Sequence, residues 1–363
     1  MTKVFCIGCG LVTPVGNTPA QVFEAVRKGK SAFRMYEGWP EPYYASLLDR
    51  EGYEGPSFFE HIALEAARAA VADAGIDVAG PRVGLVLSTI KGNVEKIDTE
   101  DVSLAASAAR LAQALGVQTA PVVVSNACIS GLAALLQGVR MLRSGAYDHI
   151  IVVGAEVQSR FIVTGFQSLK ALSMNPCKPF DADRDGLNVG EAAAAMVLTC
   201  HSERSEESVW EIVDGAVRND ANHISGPSRT GEGSYNALRA VLKYVKPEEL
   251  AFVNVHGTAT RYNDQMEAIA LNRAGLQDVP VNALKGIFGH TMGAAGILES
   301  IVSMQACDAG VVLPTQGFAQ MGVEPAVSVS ALERKTDKKA FVKLLSGFGG
   351  VNGALLFRKG GAL

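Results

Sequence analysis

Short apolar runs alternate along the chain with Ala- and Leu-rich stretches of helical period, a pattern that predicts an α/β fold with its sheets covered by helices. Strands are expected at 4–8, 83–88, 122–125, 149–153, 193–199, 209–217, 252–255, 327–329 and 341–345. Helices are expected at 19–28, 58–73, 103–115, 130–144, 235–244, 264–273 and 294–306. Thr18 is the expected N-cap of the first helix, with Pro19 at its first position. The stretches 131–142 and 296–304 are apolar nearly all round, so these two helices belong between sheets rather than on a surface.

Two further features concern organisation. The strand VVVS runs into NACISG and a helix, and FVNV runs into HGTAT and another helix, a faint internal echo that suggests two similar halves. The stretch 227–233, PSRTGEG, is the best candidate joint between them, dividing the chain into 1–226 and 227–363. The charged segment HSERSEES, 201–208, reads as a solvated loop between strands.

With 363 residues, 48% hydrophobic and 19% charged, the chain can bury a large core as one big domain or two packed halves. A net charge of −4 leaves no basic footprint for nucleic acid. No segment has the apolar length of a membrane span or a secretory leader, and six scattered cysteines read as reduced thiols; a cytoplasmic protein is expected. Cys6 and Cys9 form a C-x-x-C, but without a second pair at zinc-ribbon spacing they read as small strand residues.

The candidate chemistry lies in four segments. In PVVVSNACISGLAALL, Cys128 occupies the turn between a buried strand and a buried helix. There unpaired N–H groups and the helix dipole are expected to lower its pKa and make it a nucleophile. Gly131 is expected to leave room for substrate, and Ser125 and Asn126 to hold the turn. FVNVHGTAT places His256 at a strand end with Thr258 and Thr260 behind it, a set of small polar groups suited to a narrow tunnel for an amide-bearing ligand. KGIFGHTMGAAG places His290 at the opening of a buried helix; Lys285, in apolar company, needs a carboxylate, for which Glu267 and Asp264 are the candidates. SGFGGVNG, around Phe348, is a Gly-rich turn able to aim backbone N–H groups at a reacting carbonyl.

Together with GLVTPVG and PFDADRDGLNVGEAAAAMVL, these segments resemble the β-ketoacyl-acyl carrier protein synthases, the elongating and polyketide ketosynthase branch of the thiolase-like superfamily, over nearly the whole chain. The resemblance implies a layered αβαβα fold of two related halves, usually a homodimer, and decarboxylative condensation of a Cys128-bound acyl group with malonyl carrier in fatty-acid or polyketide synthesis. It implies Cys128 as acylated nucleophile, His256 and His290 as the pair that assists decarboxylation, Lys285 as their support and Glu267 as the buried carboxylate of the same network. It matches Thr258 and Thr260 to the phosphopantetheine arm, and Phe348 to the gate of the acyl pocket, whose N–H joins that of Cys128 in an oxyanion hole. No metal or bound cofactor is implied, since the substrates ride on the phosphopantetheine of an acyl carrier protein.

The chain is shorter than typical members between about 53 and 121, where the family builds its dimer surface and acyl-pocket wall. Glu60 stands where a basic docking residue would be expected. A degradative thiolase would carry a second cysteine in the loop that reads GFGG here, and a chain-initiating synthase an Asn where His290 stands. The alternative is the active subunit of a heterodimer with a non-catalytic partner of the chain-length-factor kind.

Overall fold

The computed structural model describes residues 2–97, 102–201 and 209–360. The first half of the chain forms β1 (Phe5–Val12), α1 (Pro19–Arg27), β2 (Arg34–Tyr36), β3 (Tyr43–Ser46), α2 (Phe58–Ala74), β4 (Val83–Ser88), α3 (Leu104–Leu115) and β5 (Val122–Val124). It continues through α4 (Ser130–Arg143), β6 (His149–Glu156), α5 (Arg160–Ser168), β7 (Val189–Gly190) and β8 (Ala192–Thr199). The second half forms β9 (Trp210–Asn219), α6 (Glu232–Val241), β10 (Phe252–Asn254), α7 (Arg261–Arg273), β11 (Val281–Asn282), α8 (Lys285–Phe288) and α9 (Ala295–Asp308). It ends with β12 (Val311–Val312), β13 (Arg334–Lys335), β14 (Ala340–Gly347) and β15 (Val351–Lys359).

Ten strands follow one another in the order β11-β10-β14-β15-β9-β1-β8-β6-β4-β5. This is one pattern used twice. Ranked by chain position, β5-β4-β6-β8-β1 and β11-β10-β14-β15-β9 both run third, second, fourth, fifth, first. The second, third and fourth strands of each set are mutually parallel, and the fifth is antiparallel to its neighbours. The sets meet where Phe5 and Cys6 pair with Glu211 and Trp210. Strand β9 pairs with β15 along its length, so by strand order it groups with the second set, upstream of residue 227.

Side chains that alternate along these strands face two different cores. On β6, Ile150 and Val152 point into a central cluster with α4 and α9, whereas Ile151 and Val153 point to α2 and α3. On β14, Phe341 and Leu345 join the central cluster, while Val342 and Leu344 face α6 and α7. Five layers result, α2/α3, strands, α4/α9, strands and α6/α7, which is the αβαβα arrangement. The strands read as unbroken apolar runs because both faces are covered.

The two central helices cross backbone to backbone. A Cβ on Gly296 would stand 2.3 Å from the Leu132 nitrogen, and one on Gly131 would stand 2.8 Å from the Gly293 carbonyl oxygen. Gly131 therefore serves helix packing, which corrects the expectation that it leaves space for substrate.

Thr18 caps α1 as expected, accepting from the Gln21 N–H at 3.2 Å. The strand expected at 327–329 is absent; with Pro325 just upstream, the segment makes only an isolated bridge from Val329 to Val281. Helix α5 had no counterpart in the sequence pattern, since RFIVTGFQS is rich in β-branched residues and glycine; Ser159 caps it. Cys6 and Cys9 lie on β1 with their sulfurs 3.5 Å apart, at hydrogen-bond rather than disulfide distance. Of the loop expected at 201–208, residues 202–208 lie outside the described residues. Among the described residues no helix is long and apolar enough to cross a membrane.

Candidate active site

Cys128 lies in the turn between β5 and α4. Ser130 closes that turn, accepting from the Asn126 N–H at 2.7 Å and donating to the Ala127 carbonyl at 2.6 Å. Ala127 takes φ +46°, a left-handed conformation that costs a residue with a Cβ about 1–3 kcal/mol. Gly347, at the end of β14, comes so near that a Cβ on it would crowd the Cys128 nitrogen at 3.0 Å.

Burial pushes the Cys128 thiol up to about 11, against the pull of the Phe348 N–H and the Lys285 charge. This runs against the expectation of a lowered thiol: the residue is 7% exposed, and loss of water is the largest influence on it. The resting group is a thiol, so its reaction needs a nearby proton acceptor.

Two neutral imidazoles stand beside it. His256 follows β10 and His290 precedes α9; their rings meet edge to face with centroids 5.1 Å apart. The Cys128 sulfur and one nitrogen of each ring lie within 4.8 Å of one another. Burial, and then the charge of Lys285, hold both rings well below the ordinary histidine value. The Met292 N–H donates to His290 Nδ1 at 3.3 Å, which puts the ring proton on Nε2, an N–H left without a protein partner. Among the described residues His256 Nδ1 also lacks a partner.

Backbone bonds fix both rings. The His290 N–H donates to the Asn188 carbonyl at 2.7 Å, and its own carbonyl accepts from the Gly190 N–H at 3.1 Å, so the segment LNVG docks it. Glu267 accepts from the N–H groups of His256 and Gly257 at 2.7 and 2.8 Å. Asp264 accepts from the N–H groups of Thr258 and Phe180 at 3.1 and 2.8 Å. Burial raises these carboxyls to about 7 and about 6 respectively.

Neither acid partners Lys285, contrary to expectation. The Lys285 ammonium donates instead to Glu299 Oε1 at 2.8 Å, and Lys343 donates to the other carboxylate oxygen. Glu299 projects from α9 toward α8, whereas the two acids on α7 are already engaged by the His256 loop. Burial alone would raise the Glu299 carboxyl, but the two ammonium groups hold it below its ordinary value. Sequence reasoning missed Glu299 and Lys343, although each is a lone charge in an apolar run, ILESIV and AFVKLL.

Cys128, His256, His290, Thr258, Thr260 and Phe348 line one cavity of about 510 Å³. The Thr258 and Thr260 hydroxyls lie 2.9 Å apart on its wall. The Phe348 ring, 40% exposed at the mouth, tilts against Phe166 of α5 with centroids 6.0 Å apart. Lys285, Glu267 and Asp264 are not among the residues that line it. The thiol and two imidazoles are also donors a soft cation would accept, but such an ion would occupy the thiol itself. The set is better suited to acyl transfer.

Residues 53–204 match the N-terminal domain of beta-ketoacyl synthase, and residues 209–319 match its C-terminal domain. The chain is 28% identical to 3-oxoacyl-[acyl-carrier-protein] synthase 2 of Vibrio cholerae, over 98% of this chain and 99% of that protein. It is 27% identical to the tetracenomycin polyketide synthase ketoacyl synthase alpha subunit of Streptomyces glaucescens, over 98% and 97%. Among solved structures, a beta-ketoacyl synthase from Burkholderia phymatum superposes with a TM-score of 0.88 at 25% identity, covering 99% of this chain and 100% of that one. A ketosynthase from Xenorhabdus doucetiae, solved in complex with its chain length factor, shares the fold with a TM-score of 0.87 at 24% identity, over 99% and 98%. The chain belongs to the β-ketoacyl synthase family and is an acyltransferase with the ketosynthase fold.

Proposed function

We propose that the protein is a 3-oxoacyl-[acyl carrier protein] synthase that condenses an acyl group held on Cys128 with a malonyl group on an acyl carrier protein, in fatty-acid or polyketide synthesis. The observation that carries this reading is the thiol and two neutral imidazoles within 4.8 Å of one another, on one cavity wall. In the first half-reaction the Cys128 sulfur attacks the acyl thioester. Its proton passes to a neutral imidazole and then to the departing phosphopantetheine thiol. The N–H groups of Cys128 and Phe348 take the oxyanion of the tetrahedral intermediate.

In the second half-reaction the malonyl carbon–carbon bond breaks, CO₂ leaves, and negative charge develops on the thioester oxygen. His290 Nε2–H and an N–H of His256 receive it in a site shielded from water. The enolate carbon then attacks the acyl-Cys128 carbonyl, and collapse expels the Cys128 thiolate, which recovers a proton. Lys285 supports the pair through Glu299. Thr258 and Thr260 offer hydroxyls to the amides of the phosphopantetheine arm. Phe348 and Phe166 form the gate.

A carrier protein is the expected partner. Glu60, where a basic docking residue is expected, pairs with Arg110 at 2.6 Å, so docking uses other lysines or a carrier of unusual character. A homodimer is the first expectation. A heterodimer with a chain-length-factor-like subunit is the second reading, favoured by likeness to a protein named as an alpha subunit. Incubating the purified chain with acyl and malonyl carriers and weighing the products tests both: a 3-oxoacyl carrier from the chain alone supports the homodimer. Product only on adding a second subunit supports the heterodimer, and no product in either case removes the proposed function.

A further inference from the structure

Lys343 is among the largest fully buried side chains, yet none of the chemistry assigned above uses it. It projects from β14 with no exposure and donates to three acceptors: Glu299, Asn254 Oδ1 at 2.6 Å and the Val255 carbonyl at 3.3 Å. Val255 directly precedes His256, and Asn254 ends the strand that carries it. Asn254 is itself held, donating to Asn282 Oδ1 at 2.9 Å.

The charges do not balance. Lys285 and Glu299 alone would form a neutral buried pair, which needs no third member. Adding Lys343 gives two ammonium groups around one carboxylate, all at most 1% exposed, so these three groups carry a net positive charge as long as Lys343, which burial pulls down to about 8, keeps its proton. A surplus buried cation is costly, and the groups that feel it are the two histidines. The ionisable groups facing the cluster are Lys285 from α8, Glu299 from α9, Glu267 from α7, His256 and His290 at the cavity, and the thiols of Cys128 and Cys177 beside Lys285.

Resting on the proposed function, we propose that Lys343 is a positioning residue for decarboxylation: it clamps the backbone ahead of His256 and makes the buried cluster behind both imidazoles net positive. Two effects follow. The clamp keeps the His256 ring aimed at the thioester oxygen. The field disfavours a second proton on either ring, so that His290 Nδ1 stays an acceptor for Met292 and Nε2–H stays a donor, while still favouring negative charge on the enolate. The direction agrees with the ring shifts, to which Lys343 contributes at both histidines.

The test compares the wild-type protein with Lys343→Met and Lys343→Gln, the latter keeping an N–H donor without the charge. Cys128 acylation by hexanoyl-pantetheine is read by intact mass, and CO₂ release from malonyl-pantetheine is read from pH 5 to 9. For Lys343→Gln, acylation is expected within about threefold of wild type and CO₂ release lower by about tenfold with KM unchanged. The acidic limb of its rate profile is expected about one pH unit higher, because losing a nearby cation lets the imidazoles protonate more easily. Lys343→Met is expected to show the same shift with a larger loss of rate. A folded Gln variant whose CO₂ release and acidic limb match wild type would overturn the assignment, as would an equal loss in both half-reactions, the mark of a merely structural lysine. A wild-type protein that acylates but releases no CO₂ would instead count against the proposed function.

Discussion

The connection from β5 to α4 and the connection from β11 through α8 to α9 occupy the same place in the two repeats: each follows the third strand of its set and leads into a helix of the central layer. One presents Cys128 and the other His290. The sequence echo had paired the cysteine turn with the His256 turn, which follows β10, the second strand. Strand order moves the correspondence to His290. The equivalent turns differ in what lies behind them. Three residues beyond Gly131, α4 has Ala134, whereas three residues beyond Gly296, α9 has Glu299 with its two lysines. One repeat thus supplies a dry thiol and the other a buried charge cluster beneath two imidazoles. A duplicated scaffold fixes where the reacting groups stand, and a few buried side chains decide what each can do.

The largest effect should come from breaking the charged side. Glu299→Leu leaves two buried ammonium groups without their shared carboxylate, and a loss of about 3–5 kcal/mol is expected in urea denaturation. The reverse change, Ala134→Glu, buries a carboxylate with no lysine and should cost a similar amount; a stable Ala134→Glu protein would show that the halves tolerate charge equally. Next is the helix crossing that both sides share. Gly296→Ala places a Cβ 2.3 Å from the Leu132 nitrogen and should cost about 1–3 kcal/mol, with lower rates in both half-reactions because both turns shift.

The smallest effect sharpens the histidine side by pH. Folded His290 sits below its unfolded value of about 6.5, so its contribution to stability is complete above that pH and declines as pH falls toward the folded value. Wild type minus His290→Asn should therefore fall on acidification below about pH 6.5 by up to about 1.4 kcal/mol per unit. A difference flat from pH 7 to 5 would mean that the ring is not held neutral.

Much of this is legible in the sequence. Apolar runs marked the strands, the all-round apolar helices at 131–142 and 296–304 proved to be the central layer, and Thr18 capped its helix as read. The cavity groups Cys128, His256 and His290 stood out because each interrupts a strand-to-helix junction with a reactive side chain. What stayed hidden depends on contacts distant in sequence. Lys285 finds Glu299 fourteen positions away on the next helix, and Lys343 reaches the same carboxylate from a strand, distances that no local spacing encodes. The raised thiol has a related cause: a helix terminus is visible in sequence, whereas the burial that governs Cys128 is not. Helix α5 escaped because weak local propensity is overridden there by tertiary packing.

The central claim is that the acyl group rides on Cys128. Intact-protein mass spectrometry after incubation with an acyl carrier should show wild type gaining the mass of one acyl group and Cys128→Ala gaining none. His256→Ala and His290→Ala should still be acylated but should fail to release CO₂ from malonyl carrier. Acylation of the Cys128→Ala protein to the wild-type extent would contradict the account.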